Sequence, residues 1–146
     1  MKPLTCKPIG EIRTPYETIE ECPRNLMTDG PPCRIVVDRD YAEGLFGLGP
    51  GARILVLYWM NKTSFSSLMN TSRQSGETRG VFALRTPHRP NPIAAAVVTV
   101  DKLIDNELVV RGLDCINGTP LLDIKPAMSN EIESNQTSKS FWFWRN

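Results

Sequence analysis

Apolar residues along this chain come in short runs separated by polar stretches and turn residues. The clearest run is Arg53-Ile-Leu-Val-Leu-Tyr-Trp-Met60, bounded by Gly51 and Asn61. A continuous run of this length with aliphatic and aromatic members predicts a strand over 53–60. Cys33–Asp38 has the same character. Residues 5–13, with Ile9 and Ile12 among polar neighbours, predict a first strand, and Gly80–Leu84 a brief one. Ile93–Leu103 is apolar and partly alternating; Asp105-Asn106 turns it back into Leu108–Leu113, so these two runs are expected to pair as an antiparallel hairpin. A second hairpin is expected at Asn117-Gly118, between Leu113–Ile116 and Leu121–Ile124, because Asn-Gly favours the positive φ angles of a type I′ turn. Tyr41–Leu48 reads as a short helix with Asp40 as its N-cap. Thr14–Pro32 has little periodicity and reads as a long irregular loop, and loops this long inside a compact domain are usually functional or disordered; Asn61–Gly76 is polar and reads as a mobile connecting loop. The pattern predicts a mainly β protein: a small closed antiparallel β-barrel with one or two short helices and long loops.

Composition narrows the picture. A chain of 146 residues suits one domain over 1–146, and its twelve prolines oppose a helical bundle. No stretch approaches the roughly 18 apolar residues of a membrane span, and Met1–Cys6 has no apolar run to act as a signal, so a cytoplasmic protein is expected. Cys6, Cys22, Cys33 and Cys115 show no C-x-x-C spacing and there is one His; neither a metal site nor a disulfide framework is expected. A net charge of +1 excludes nucleic-acid binding by overall charge alone. Arg73, Arg79, Arg85 and Arg89 nevertheless share one stretch with only Glu77 opposing them, either a solvated face or the rim of a site for an anionic partner. In the tail at 127–146, Phe141-Trp142-Phe143-Trp144 puts four aromatics in a row; left in water they would be a liability, and docking on the chain's own barrel or on a second subunit is expected.

Two segments carry candidate chemistry. In Arg85-Thr-Pro-His-Arg-Pro-Asn-Pro-Ile93, three prolines fix their own φ angles and bias their predecessors toward extended backbone. The result is either a rigid corner whose polar side chains cap backbone groups, or a stiff display of Arg85, His88, Arg89 and Asn91 as a recognition surface. Gly112-Leu-Asp-Cys-Ile-Asn-Gly-Thr-Pro120, continuing to Asp123-Ile-Lys-Pro126, presents a turn at a rim; Asp123 and Lys125 alternate onto one face of a strand, where a surface ion pair is the plainer reading.

Together the two segments resemble the TsaA-like family, which includes the TrmO tRNA methyltransferases. Lys7–Pro15 resembles that family's opening strand and Pro23-Arg24-Asn25 its Pro-Arg-Gln loop, so the resemblance runs from about Pro8 to Pro126. It implies a compact antiparallel β-barrel that binds S-adenosylmethionine, a homodimer with the cofactor near the subunit interface, and methylation of N6 of threonylcarbamoyl-adenosine beside the tRNA anticodon. Cofactor contacts are then implied for Pro23, Arg24, Asn25, Met60, Asn61, Arg85, Ala95, Cys115, Ile116, Asn117 and Gly118. On the substrate side stand Arg89, Asn91 and Lys125, with His88 and Asp123 as candidate bases for the poorly nucleophilic N6. The chain departs from the family pattern, which often has His at Met60, Gly at Ala94, Asp at Asn117 and Tyr at Ala127. The Met60 and Ala127 departures, with the near-neutral overall charge, would suit a small-molecule acceptor; a barrel that binds cofactor or RNA without catalysis is a third reading.

Overall fold

In the computed structural model, which describes residues 1–24 and 26–131, the run at 53–60 is the strand β3, Arg53–Trp59. Ile54, Val56 and Tyr58 point inward and are buried, while Leu55, Leu57 and Trp59 stay half-covered on the other face. The other strands are β1 (Gly10–Arg13), β2 (Pro32–Val37), β4 (Met69–Thr71), β5 (Thr78–Gly80), β6 (Ile93–Ile104), β7 (Glu107–Arg111) and β8 (Thr119–Pro126). Six of them close a barrel in the order β1-β2-β7-β6-β3-β8, every pairing antiparallel, and β4 and β5 form a separate two-stranded sheet. Closure leaves no open edge among the six. Ile12, Ile35, Ile54, Val56, Leu108, Val110, Leu113 and Leu121, all fully buried, fill the interior.

The twelve-residue β6 serves two neighbours, pairing with β3 through Ile93–Thr99 and with β7 through Val100–Ile104, with a register shift between Val100 and Lys102. The hairpin expected at Asp105-Asn106 is present. Asp105 has φ 54°, and the Asn106 side-chain amide donates to Val37 O at 2.6 Å, tying the turn to β2.

Five expectations are corrected. Leu113–Ile116 is not a strand: β7 ends at Arg111, and β8 pairs with β1 and β3. At Asn117-Gly118 only Gly118 has positive φ, and Thr119 N–H donates to Ile116 O at 3.2 Å, the signature of a type II rather than a type I′ turn. Tyr41–Leu48 is replaced by a 3₁₀ helix over Arg39–Leu45, preceded by Asp38 in place of Asp40; only Leu45 is buried, so no apolar face sustains an α-helix. The strand expected at Gly80–Leu84 stops at Gly80, where Val81–Ala83 takes a 3₁₀ turn, and the supposed loop 61–76 contains β4, held to β5 partly by a 2.7 Å contact between the Thr71 and Thr78 hydroxyls. The aromatic tetrad lies outside the described residues.

The long segment between β1 and β2 is pinned across one end of the barrel. Met27 N–H donates to Gly112 O at 3.2 Å and Gly112 N–H to Pro31 O at 3.2 Å. Gly112 has φ 81°, and a Cβ there would stand 1.6 Å from Met27 O, so both backbone conformation and space require glycine. We predict that Gly112→Ala destabilises the protein by about 3 kcal/mol, the sum of left-handed strain and overpacking, seen as a lowered urea midpoint. A loss below about 1 kcal/mol would show that the crossing segment yields instead.

Candidate functional site

β3 runs antiparallel to β6 and β8, so its last residues lie at the same end of the barrel as their first ones. The exit of β7 lies there too. At this end three irregular segments converge: Met60–Ser64 after β3, Arg85–Pro92 before β6, and Gly112–Gly118 between β7 and β8. They enclose two adjoining cavities. The larger, about 330 Å³, is lined chiefly by Ile19, Met60, Lys62, His88, Cys115 and Ile116. The smaller, about 40 Å³, gathers Arg24, Arg85, Arg89, Tyr58 and Ala95. Met60, Pro87 and Asp114 line both. The larger volume falls in the range of roughly 300–1,000 Å³ typical of small-molecule sites.

The proline segment is stiffened by more than its rings. Arg89 Nη1 donates to Leu84 O at 2.9 Å and Thr86 O at 3.3 Å, so its guanidinium caps carbonyls of its own loop. The buried Thr86 Oγ1 accepts from His88 N–H and from the Asn70 amide, each at 3.2 Å, and thereby ties the loop to β4. Thr63 Oγ1 lies 2.8 Å from Met60 O and 3.3 Å from Pro87 O, joining the segment after β3 to the same loop. Arg89 and Thr86 thus build a rigid corner, and the same segment lines the cleft with Arg85, Thr86, His88 and Arg89.

His88 is oriented. Its Nδ1 lies 2.8 Å from Ser64 O. A carbonyl only accepts, so Nδ1 carries the proton and, in the neutral ring, the Nε2 lone pair is left to accept one.

The cavity that His88 lines is also lined by Asp114, only 3% exposed, whose Oδ1 accepts from the similarly buried Tyr58 hydroxyl at 2.8 Å. Burial first, and then the Asp114 carboxylate, push the neighbouring Cys115 thiol far up; burial likewise raises Cys33. Both remain protonated near neutral pH, which removes them as nucleophiles. No three His, Cys, Asp or Glu side chains are grouped as a metal site would need, among the described residues.

Of the residues singled out in the sequence, Arg24, Met60, Asn61, Arg85, His88, Arg89, Ala95, Cys115 and Ile116 line the cleft. Asn117 and Gly118 do not. Asn117 N–H donates to Tyr16 O, its side chain bonds Thr14 N and Glu17, and Gly118 N–H donates to Ile12 O, so this turn's polar groups clamp the loop after β1. That clamp carries Ile19 and Arg24 to the cleft. Pro23 neighbours Arg24 without lining it, Asn91 is exposed nearby, and Asn25 lies outside the described residues. Asp123 and Lys125 sit toward the far end of β8, paired with each other at 2.6 Å, and this chain alone does not bring them to His88. Sequence reasoning missed Tyr58, Asp114, Lys62 and Thr86. A lone carboxylate within Leu113-Asp-Cys-Ile116 was the available signal for Asp114, and the inward alternation Ile54, Val56, Tyr58 that for the tyrosine.

A model of the tRNA-methyltransferase O N-terminal domain matches residues 11–131. An S-adenosyl-L-methionine-binding protein of Archaeoglobus fulgidus is 40% identical over 138 residues, covering 91% of this chain and 99% of the relative. A tRNA (adenine(37)-N6)-methyltransferase of Rattus norvegicus is 27% identical over 135 residues, which are 87% of this chain and 31% of the rat protein. The crystal structure of TrmO from P. aeruginosa matches with a TM-score of 0.71 at 28% identity; the match covers 89% of this chain, which spans 57% of the solved one. By fold, by the extent of the matched segment and by these relatives, this chain belongs to the family of the tRNA-methyltransferase O N-terminal domain.

Proposed function

We propose that this chain is an S-adenosylmethionine-dependent methyltransferase acting on N6 of threonylcarbamoyl-adenosine next to the tRNA anticodon. The observation that carries the reading is the joining of an apolar cavity to an arginine-lined compartment through one buried carboxylate. The donor set fits the cofactor. Ile19, Met60 and Ile116 offer apolar surface for an adenine ring, Arg24 and Arg85 suit a carboxylate, and Asp114 suits a hydroxyl, an ammonium or a sulfonium. Family membership and the S-adenosylmethionine-binding relative support the same donor; the rat relative supports adenine N6 as acceptor.

When bound, S-adenosylmethionine supplies an electrophilic methyl group on its sulfonium sulfur. The protein's work is to hold the acceptor in line, exclude water and take a proton from nitrogen. His88, fixed through Ser64, accepts that proton at Nε2. Lys62 on the cavity wall meets the carboxylate of the threonylcarbamoyl group. An anticodon-loop base is already single-stranded and is inserted at little unpairing cost, while Arg73 and its neighbours hold phosphates. A cytoplasmic homodimer belongs to this reading; the exposed Leu68, Met69 and Phe82 around the β4–β5 sheet supply apolar surface for it.

Methyl transfer from labelled cofactor to threonylcarbamoylated tRNA tests the proposal. His88→Gln should lower kcat by roughly 100-fold, the usual worth of a positioned base, with the cofactor Kd from calorimetry unchanged; wild-type turnover would remove His88 from the role. No transfer to modified tRNA despite intact cofactor binding would refute the acceptor. Asp114→Asn keeps an oxygen for the Tyr58 hydroxyl but loses the charge, and should raise the cofactor Kd by roughly tenfold or more; an unchanged Kd would take Asp114 out of the site.

A further inference from the structure

A groove of about 540 Å³ lies at the other end of the barrel, between the 3₁₀ helix Arg39–Leu45 and the second half of β8. It shares no lining residue with the cleft. Tyr41, Leu45, Phe46, Leu48 and Ile124 give it an apolar floor and lip, and Phe46 is 96% exposed. Its charge is acidic. Asp40 and Glu43 line it without an ion pair among the described residues, whereas Asp123 is matched by Lys125.

We propose that this groove receives the chain's own aromatic segment, Phe141-Trp142-Phe143-Trp144, in the same molecule. Three observations select that occupant. First, the chain leaves the barrel at this groove: Pro126 lines it, and Ala127 N–H donates to Arg53 O at 2.9 Å, holding the exit in place. Second, Phe141 follows Glu131 by ten residues, a reach of up to about 33 Å when extended, ample to turn back onto a groove that Pro126 already lines. Third, the chemistry is complementary: four aromatics match an apolar floor, and the flanking Lys139 and Arg145 match Asp40 and Glu43. Docking in the same molecule needs no partner and would cover the Phe46 ring, 96% exposed, with apolar rings of the same chain.

Tryptophan fluorescence tests this. Trp59→Phe leaves Trp142 and Trp144 as the only tryptophans. Their emission should be blue-shifted, and quenching by acrylamide several-fold slower, relative to a peptide of residues 132–146. Two further changes on that background attack the groove. A Cβ at Gly44 meets no atom within 4 Å, so Gly44→Arg is tolerated while placing a cation where Arg145 is expected. Phe46→Asp removes an exposed ring that the core does not use. Each should return quenching to the peptide's rate, with sedimentation unchanged. Peptide-like quenching in the Trp59→Phe protein, or protection that survives both groove variants, would overturn the proposal. So would protection that disappears on dilution together with a dimer, which would place the segment on a second copy.

Discussion

One hydrogen bond, from the Tyr58 hydroxyl to the Asp114 carboxylate, sits at the boundary of the two cavities: Asp114 lines both and Tyr58 the smaller. Its two residues come from different levels of the fold. Tyr58 is an inward position of β3, next to the last residue of that strand, and Asp114 lies in the irregular segment after β7. A carboxylate at 3% exposure is expensive unless paired and hydrogen-bonded, so its place among Leu113, Cys115 and the barrel interior is a cost that a purely structural loop avoids with an apolar residue. The same carboxylate borders both compartments and helps hold the adjoining thiols in their neutral form. A family of cofactor-binding barrels accounts for its presence; stability does not.

Around that carboxylate, several polar groups are engaged in holding the loops rigid. Arg89 looks like an anion-binding residue, yet it caps two carbonyls of the proline segment. The side chain and N–H of Asn117 clamp the loop after β1. Thr86 and Thr63 stitch that segment to its neighbours. The charged and titratable lining of the cleft is a short set, Arg24, Lys62, Arg85, His88, Arg89 and Asp114, beside apolar Ile19, Met60 and Ile116. Such pre-organisation suits methyl transfer, where alignment contributes much of the rate.

Much of this was legible in the sequence. The strands at 33–38 and 53–60 and the hairpin around Asp105 follow from apolar runs and turn chemistry, because each depends on local pattern. The Asn117-Gly118 hairpin did not follow: a turn signal tells where the chain reverses but not which strand it then joins, and β8 joined β1 and β3. β4 was hidden because a three-residue strand in polar sequence is defined by its partner alone. At the site, the proline segment announced stiffness but not which of its side chains supply it. Asp123 and Asp114 were equally plausible carboxylates by residue type. Burial separates them, and burial is a property of the closed barrel.

The central claim is that S-adenosylmethionine binds at the barrel end where Met60, Arg85 and Asp114 converge. Titration of isotopically labelled protein with S-adenosylhomocysteine, followed by resonance shifts, tests it directly because it reads position and not turnover. The account predicts saturable shifts confined to 60–63, 85–89 and 113–116, with Ile19, Arg24, Tyr58 and Ala95. Shifts centred on the groove beside Arg39–Leu45, or none at saturating ligand, would contradict it.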